Sequence, residues 1–348
     1  MTSRKGRSRL VRSSRLRAVL FLLSACLLVL MLLLEVGARL AESIGARSSS
    51  PAFVNRSPPK FPTAPIRVCF LADVQRGLAG VVRPLARELD DSNIELLISS
   101  GDLVSHGEAP YYGLVFGAFD RAKLTIPTLV VPGNHDVQPD CQQAYEPGRR
   151  LFERAIGPRW WSTTVGEVLI LGIDNSLAPI CAEQLEWLRL ELAVHPIAPY
   201  VLVCHRPPLD LDRPASRLTD DPALIALLEY RVPCAVICGH AHADRDVTVR
   251  GVRYLCNAQG GDLGHDDREF GPSDFWVILA DIRVGGVIDF HRRAIERDSV
   301  LQIYFESFCV RMWIERRARP WLSWLLGSIG VVTLVGWVIC ARERGPSA

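Results

Sequence analysis

The sequence predicts an α/β domain framed by two apolar segments, and three observations lead to this prediction. Short apolar runs of β type alternate with helical stretches from Ile66 onward, as in a domain with a largely buried sheet. Polar side chains directly follow five of these runs. On each side of the domain lies an apolar segment about as long as a membrane helix.

The N-terminal part combines a basic tail with the first apolar segment. Residues 1–17 carry seven Lys or Arg side chains and no acidic one, and residues 18–40 are predicted to form a transmembrane helix. Two alternatives stay open for this segment. It could be a cleaved signal peptide, and Cys26 could be lipidated because residues 23–26 resemble a lipoprotein box.

The folded domain is predicted over residues 66–310, after a Ser- and Pro-rich linker at residues 45–65. Helical stretches are predicted at Val81–Leu89 and Ala182–Leu192. The β-type runs are Ile66–Ala72, Ile94–Ser100, Thr128–Val131, Val168–Ile173, Tyr200–Cys204 and Cys234–Cys238.

A hairpin and the second apolar segment complete the chain. Phe275–Ile282 and Gly286–His291 are separated by a short turn, which predicts two antiparallel strands. Residues 320–341 are about one bilayer long and carry Trp side chains near both ends. We therefore predict a second transmembrane helix over these residues.

The distribution of charge indicates the surroundings of the domain. Residues 1–17 carry a net charge of +7 and residues 311–348 carry +4, so residues 18–310 carry −9 within the total of +2. An acidic body argues against nucleic-acid binding. Because basic flanks of the first membrane helix stay in the cytoplasm, we expect the domain outside the cytoplasm and both termini inside it.

The ten cysteines do not form a metal-binding motif of the Cys-x-x-Cys type. Cys69, Cys204 and Cys238 lie near the ends of predicted buried strands, where cysteine serves as a small apolar side chain. Cys141 and Cys181 lie in predicted loops and could pair in an oxidising compartment.

The candidate functional site consists of the polar residues that follow the strand runs. In open α/β sheets, ligands bind beyond the carboxyl ends of the strands, and these ends bring distant segments into one cleft. Carboxylate, amide and imidazole groups together suit a divalent ion such as Mn, Fe or Zn. The residues are Asp73, Gln75, Asp102, Asn134, His135, Asp136, His205, His240 and His242.

The order Asp-x-Gln, Gly-Asp, Gly-Asn-His-Asp, His and Gly-His-x-His resembles that of the calcineurin-like metallophosphoesterase superfamily, over about residues 66–292. The resemblance implies an α/β fold of two packed β-sheets flanked by helices, a four-layer sandwich, with two divalent metal ions as cofactors. In such a site Asp102 would bridge both metals. One metal would also be bound by Asp73, Gln75 and His242, and the other by Asn134, His205 and His240.

The resemblance further implies hydrolysis of a phosphate monoester or diester. Two neighbouring cations lower the pKa of a bridging water and neutralise the phosphate charge. His135 would act on the phosphate or on the leaving group, and Asp136 would tune it. Since the predicted membrane helices hold the cleft near lipid, a lipid-linked phosphate ester is one of the expected substrate classes.

Gln75 departs from the pattern of the superfamily, in which most members have His at this position. An amide oxygen is a weaker ligand than imidazole for late transition metals, so the occupancy of one metal site is open. This supports an alternative hypothesis, a metal-binding sensor or scaffold of the same fold with little or no turnover. The other ligand types and His135 are present, which favours the enzyme.

Overall fold

The computed structural model describes residues 18–36, 39, 49–75, 78–138, 145–177, 179–211, 221–257, 274–298, 308, 319 and 321–342. The chain divides into two compact units. One comprises Met1–Ser43 together with Phe305–Ala348, and the other comprises Ile44–Tyr304.

The larger unit is built on two mixed β-sheets. Its strands are β1 (Ile66–Leu71), β2 (Leu96–Ser99), β3 (Thr128–Val130), β4 (Trp161–Val165), β5 (Val168–Gly172), β6 (Tyr200–Val203), β7 (Ala235–Cys238), β8 (Arg245–Val249), β9 (Val252–Cys256), β10 (Asp274–Ile282) and β11 (Ile288–Glu296). The first sheet has the order β11-β10-β1-β2-β3, and the second has the order β4-β5-β6-β7-β9-β8. The pairs β1–β2–β3 and β5–β6–β7–β9 are parallel, whereas β4, β8, β10 and β11 run antiparallel to their neighbours.

Helices cover the outer faces of the two sheets. The described helices are α1 (Ala18–Val36), α2 (Leu78–Asp91), α3 (Ala109–Arg121), α4 (Asn134–Val137), α5 (Tyr145–Ala155), α6 (Ala182–Val194), α7 (Pro222–Tyr230) and α8 (Trp321–Arg342). One apolar cluster joins the first sheet to α2, α3 and α5, and another joins the second sheet to α6 and α7. A third cluster lies between the sheets.

This layering explains why the strands read as continuous apolar runs. On β1, Val68 and Phe70 belong to the cluster between the sheets, whereas Cys69 and Leu71 belong to the cluster under the helices. Strands buried on both faces need apolar side chains at every position. The expected α/β architecture of two packed sheets flanked by helices is therefore confirmed for the described residues.

Some strands differ from the predicted set. The hairpin of β10 and β11 is present, with Ile282 paired to Ile288. Strands β4, β8 and β9 were not expected. The edge strand β8, whose sequence is Arg-Asp-Val-Thr-Val, is half exposed and has no apolar run that would reveal it.

Residues 50–63 differ from the predicted free linker, because they pack against the domain. Phe53 pairs with Thr128 in a short parallel bridge. The buried side chain of Asn55 donates to Val130 O (2.7 Å) and accepts from Val130 N (2.9 Å). Asn55 thus satisfies the backbone of β3, which is the edge strand of its sheet among the described residues.

The smaller unit contains α1 and α8, packed antiparallel. The rings of Phe21 and Trp337 lie 5.2 Å apart, and a Cβ added to Gly330 would meet Leu28 at 3.0 Å. By length and composition, α1 could cross a membrane. The apolar part of α8 found in the same way, Trp324–Val335, is shorter than a span, so the second transmembrane helix stays a prediction.

The cysteines near strand ends are buried as expected. Cys69, Cys204 and Cys238 are 0% exposed and lie in the apolar clusters beneath the helices. Cys181 is exposed and forms no disulfide with any cysteine that the structure describes. Its predicted partner, Cys141, lies outside the described residues, so the pairing stays a prediction.

Candidate metal centre

The candidate residues lie at one edge of the domain, where β1, β2, β3, β6 and β7 end. In the first sheet, Asp73 N donates a hydrogen bond to Gly101 O (3.0 Å), and in the second sheet Gly239 N donates to His205 O (3.0 Å). The two sheets are joined at this edge because His240 N donates to Asp73 Oδ2 (3.0 Å). The loops that follow these strands therefore meet around a common point.

Left-handed backbone conformations are concentrated in these loops. Such φ values are rare for residues other than glycine, and Asp, Asn and His tolerate them best. Each one costs about 1–2 kcal/mol, which the surrounding structure must supply. The residues are Asp73 (φ 55°), Gln75 (39°), Asp102 (55°), His240 (67°) and His242 (48°).

Two glycines allow the carboxylates to approach neighbouring backbone. A Cβ on Gly133 would lie 2.1 Å from Asp102 Oδ1 and 2.3 Å from Asp102 N. A Cβ on Gly239 would lie 2.7 Å from Asp73 Oδ2. All three distances are below the 3.0 Å that real Cβ atoms keep, so a side chain at either position would have to displace the neighbouring carboxylate.

Two buried carboxylates form the first half of the centre. One ligand atom each from Asp73, Asp102 and His242 lies within 4.8 Å of the others. His242 Nε2 is 3.5 Å from Asp73 Oδ1, and Gln75 Nε2 donates to Asp102 Oδ2 (2.9 Å). Burial raises the pKa of Asp73 to about 8, and the Asp102 carboxylate adds to this shift.

His205 forms the second half. Its Nδ1 faces Ser100 O at 3.0 Å, and since a carbonyl only accepts, Nδ1 carries the hydrogen. Its Nε2 then lies 3.1 Å from Asn134 Oδ1 and 3.4 Å from Asp102 Oδ1. A ring lone pair facing two oxygens is favourable only with a proton or a cation between them.

The pKa values at this position show how strongly a positive charge is favoured there. Burial alone would lower the pKa of His205, but attraction to Asp102 outweighs it and raises that pKa to about 9. Burial would raise the pKa of Asp102, yet His205 and His135 hold it well below its usual range. The site therefore stabilises positive charge beside a permanently ionised carboxylate.

His240 contributes a neutral imidazole to the same half. Its ring centroid lies 5.0 Å from that of His205. Burial, together with the positive charges of His205 and Arg206, lowers the pKa of His240 to about 3. A neutral imidazole is the form that binds metals.

These residues fit two divalent cations. Two carboxylates that face each other under full burial repel, and cations would offset both this repulsion and the cost of desolvation. The imidazole, carboxylate and amide donors match Mn, Fe, Zn or similar ions. The metal set predicted from the sequence is brought together, and the role of each member as a ligand stays a prediction.

His135 lies beside this centre with its ring accessible. His135 N donates to Asp102 Oδ1 (2.9 Å), and its Nδ1 donates to Ser105 O (2.9 Å). Its Nε2 is 4.0 Å from Asp102 Oδ2, and the side chain is 39% exposed. Since Nδ1 is engaged with this carbonyl, Nε2 is the ring nitrogen that remains for a substrate.

Asp136 contacts the backbone of two loops beside His135. Its buried carboxylate accepts from Val104 N (3.0 Å) and Gly133 N (2.8 Å). Within the part of the chain that the structure describes, no hydrogen bond or ion pair joins Asp136 to His135. Burial raises the pKa of Asp136 to about 7, with repulsion from Asp102 adding to the shift. These contacts indicate that Asp136 supports the two loops, and its tuning of His135 stays a prediction.

Asn175 also belongs to this site, although the sequence analysis did not predict it. It follows β5 at the same edge, and its Oδ1 accepts from both His205 N (2.9 Å) and Arg206 N (3.0 Å). Asn175 thereby fixes the backbone that carries a candidate ligand. The signal was present in the sequence, since the polar residues Asp174, Asn175 and Ser176 directly follow a buried run.

Comparison with known proteins agrees with the family resemblance of the sequence motifs. A model of the calcineurin-like phosphoesterase family matches residues 66–244. The 3′,5′-cyclic adenosine monophosphate phosphodiesterase CpdA of Escherichia coli is 29% identical over 188 residues, covering 50% of this chain and 62% of that protein. A cAMP/cGMP dual specificity phosphodiesterase of Mycobacterium tuberculosis is 27% identical over 207 residues, covering 52% of this chain and 63% of that protein.

A dimetal phosphatase from Danio rerio is among the similar solved structures. It has a TM-score of 0.47 and 14% sequence identity, and the match covers 67% of this chain and 99% of that chain. The matched region spans a little over three fifths of the length of the curated relatives.

Proposed function

The chain belongs to the calcineurin-like phosphoesterase family, and from this premise we propose that it hydrolyses phosphate esters at a centre of two divalent metal ions. The observation that carries the proposal is the position of His205 Nε2, which faces oxygens of Asn134 and Asp102 at 3.1 and 3.4 Å. Asp102 also lies within the group formed with Asp73 and His242. One carboxylate thus adjoins both halves of the centre.

The residues divide the chemical tasks between them. When bound, two cations would activate a water and neutralise the phosphate. Asp73, Gln75 and His242 would hold one cation, and Asn134, His205 and His240 the other, with Asp102 shared. His135, whose side chain is partly exposed beside the centre, would donate a proton or hydrogen bond to the leaving oxygen.

The substrate class that we propose is a phosphate monoester or diester. The named relatives are cyclic nucleotide phosphodiesterases, which supports a diester among the substrates. Burial of Asp73, Asp102 and His205 and the partly exposed side chain of His135 favour a small phosphoryl group entering from solvent. A lipid-linked ester is a further member of this class if the chain is anchored in a membrane.

We also propose that α1 and α8 both cross the membrane, with the two termini in the cytoplasm and the domain outside. The seven basic residues before α1 support this orientation, and the antiparallel contact of α1 with α8 is consistent with it. The arginines of residues 311–319 oppose it, but the charge rule weakens after a long domain. Protease added to spheroplasts should cut the domain. Full protection, while an outside control protein is cut, would reverse the orientation.

One observation favours the alternative, a metal-binding sensor or scaffold with little turnover. Gln75 donates its amide N–H to Asp102 Oδ2 (2.9 Å), and this orientation does not present its oxygen to a cation beside that carboxylate. The site with Gln75 would then bind metal weakly. Hydrolysis of an aryl phosphate in the presence of Mn²⁺ separates the enzyme from the sensor.

The experiment that tests the proposal compares the wild type with Asp102→Asn. The variant removes the shared negative charge, so we expect loss of bound metal and of hydrolysis together. Metal content is measured by elemental analysis, and hydrolysis with an aryl phosphate. Unchanged hydrolysis in Asp102→Asn, or in wild type after exhaustive chelation, would refute the metal-dependent mechanism.

A further inference from the structure

We infer that Arg206 forms an anion-binding position beside the metal centre, which recognises phosphoryl oxygens and favours the more highly charged phosphate ester. The inference rests on the proposed function and adds a substrate-binding residue outside the metal ligands. Arg206 directly follows His205, and its side chain is half-buried.

Three hydrogen bonds with the loop after β5 hold Arg206 in place. Arg206 N donates to Asn175 Oδ1 (3.0 Å), and Asn175 Nδ2 donates back to Arg206 O (2.6 Å). The side chain is fixed as well, because Arg206 Nε donates to Ser176 O (3.0 Å). The guanidinium therefore has a defined position before any ligand binds, which reduces the entropy lost on binding.

The charge of this guanidinium has no protein counter-ion among the described residues. No carboxylate of that part of the chain lies within ion-pair distance of Arg206, and its two terminal nitrogens make no hydrogen bond there. Two other arginines near the same loop differ in this respect. Arg159 Nη1 contacts Asp174 Oδ2, and Arg149 Nε lies 3.8 Å from the same oxygen. Of the three, Arg206 is the one without a carboxylate partner in the described part of the chain.

The position of Arg206 in its loop places it next to the metal centre. Arg206 directly follows the candidate ligand His205, and the backbone N–H groups of both residues donate to Asn175 Oδ1 (2.9 and 3.0 Å). A phosphoryl group held at the centre would therefore be within the field of Arg206. The two free nitrogens can form paired, charge-assisted hydrogen bonds to phosphate oxygens, a geometry that Lys cannot reproduce.

The expected preference of Arg206 for the more highly charged ester follows from electrostatic attraction. A phosphate monoester at neutral pH carries nearly two negative charges and a diester carries one, so attraction to Arg206 is larger for the monoester. A merely structural Arg206 would affect both esters equally. The ratio of activities on the two esters is thus the property that separates recognition from support of the loop.

The test uses purified full-length protein loaded with Mn²⁺ and compares wild type, Arg206→Gln and Arg206→Lys. The matched control is Arg189→Gln, because Arg189 lies on α6, is 53% exposed and pairs with Glu186. Binding of inorganic phosphate is measured by calorimetry. We expect Arg206→Gln to weaken it about 10- to 100-fold, the usual effect of a charged hydrogen bond, Arg206→Lys to weaken it less, and the control to leave it unchanged.

Turnover gives the second measurement. We expect kcat/KM of Arg206→Gln to fall more for p-nitrophenyl phosphate than for bis(p-nitrophenyl) phosphate, with metal content and melting temperature as in wild type. Equal losses on both esters, unchanged phosphate binding in Arg206→Gln, or loss of metal in that variant would each overturn the inference. Wild type that binds phosphate through Arg206 but hydrolyses neither ester would refute the proposed function and leave the inference standing.

Discussion

Substitution of Gly133 by Ala tests whether the candidate metal centre tolerates one added methyl group at this position. The backbone of Gly133 has φ −93°, which Ala adopts without strain, so the effect is purely steric. The added Cβ would lie 2.1 Å from Asp102 Oδ1 and 2.3 Å from Asp102 N, against a practical lower limit of 3.0 Å. Asp102 must therefore retreat by about 0.9 Å.

A shift of this size at the shared carboxylate has a calculable consequence. Misplacement of a reacting group by about 1 Å costs on the order of 100-fold in rate, and overpacking of this kind costs about 1–3 kcal/mol of stability. We expect Gly133→Ala to fold, to bind metal more weakly and to hydrolyse an aryl phosphate about 100-fold more slowly.

The control separates damage to the centre from loss of stability. Gly251 has φ +80° and no atom within 4 Å of an added Cβ, so Gly251→Ala introduces strain without a clash. Its expected cost is about 1 kcal/mol in stability with no change in metal content or rate. Thermal melting, elemental analysis and aryl phosphate hydrolysis are measured on both variants. A wild-type rate and metal content in Gly133→Ala would refute the reasoning.

Three further predictions address neighbouring groups. If Gln75 is a ligand, Gln75→His lowers the Mn²⁺ concentration for half-maximal rate and Gln75→Ala lowers metal stoichiometry; identical titrations of all three proteins would rule out ligation. Asn175→Ala releases the backbone of His205 and should weaken metal affinity about 10-fold or more, as outer partners of ligands do; unchanged affinity in equilibrium dialysis would contradict this. The Arg67 guanidinium lowers the pKa of Asp281, so the pair stabilises above the unfolded pKa of about 4 and the stabilisation is lost as pH falls below it. Arg67→Gln should cost roughly 0.5 kcal/mol in denaturant melts at pH 7 and less at pH 3; an equal cost at both would refute the linkage.

The candidate metal centre could be predicted from the sequence because residue type and position agree at each candidate. Asp102 and His205 are polar residues that immediately follow buried runs, and both conditions can be read without coordinates. Asn175 satisfies the same conditions but acts through the backbone of His205. Only the distance between the two segments reveals that role. Periodicity within a strand carries no information about which distant backbone a side chain reaches.

The number of sheets could not be derived from periodicity either. Val68 is buried against the second sheet and Cys69 under the helices, yet both are simply apolar in the sequence. A run buried by a sheet and a run buried by helices look alike. The packing of Asn55 onto β3 could not be predicted for a related reason. A polar residue in a segment rich in Ser and Pro usually indicates a linker.

The left-handed conformation of the candidate ligands restricts how this centre can change during evolution. At Asp73, Asp102, His240 and His242 the backbone excludes β-branched side chains, whatever their affinity for metal. Substitutions that the backbone accepts readily are Asn, Asp, His and Gly. A descendant that lost its metal by drift would therefore carry Asn or Gly at these positions far more often than Val or Ile. Such a lineage would remain recognisable from its sequence after its chemistry was gone.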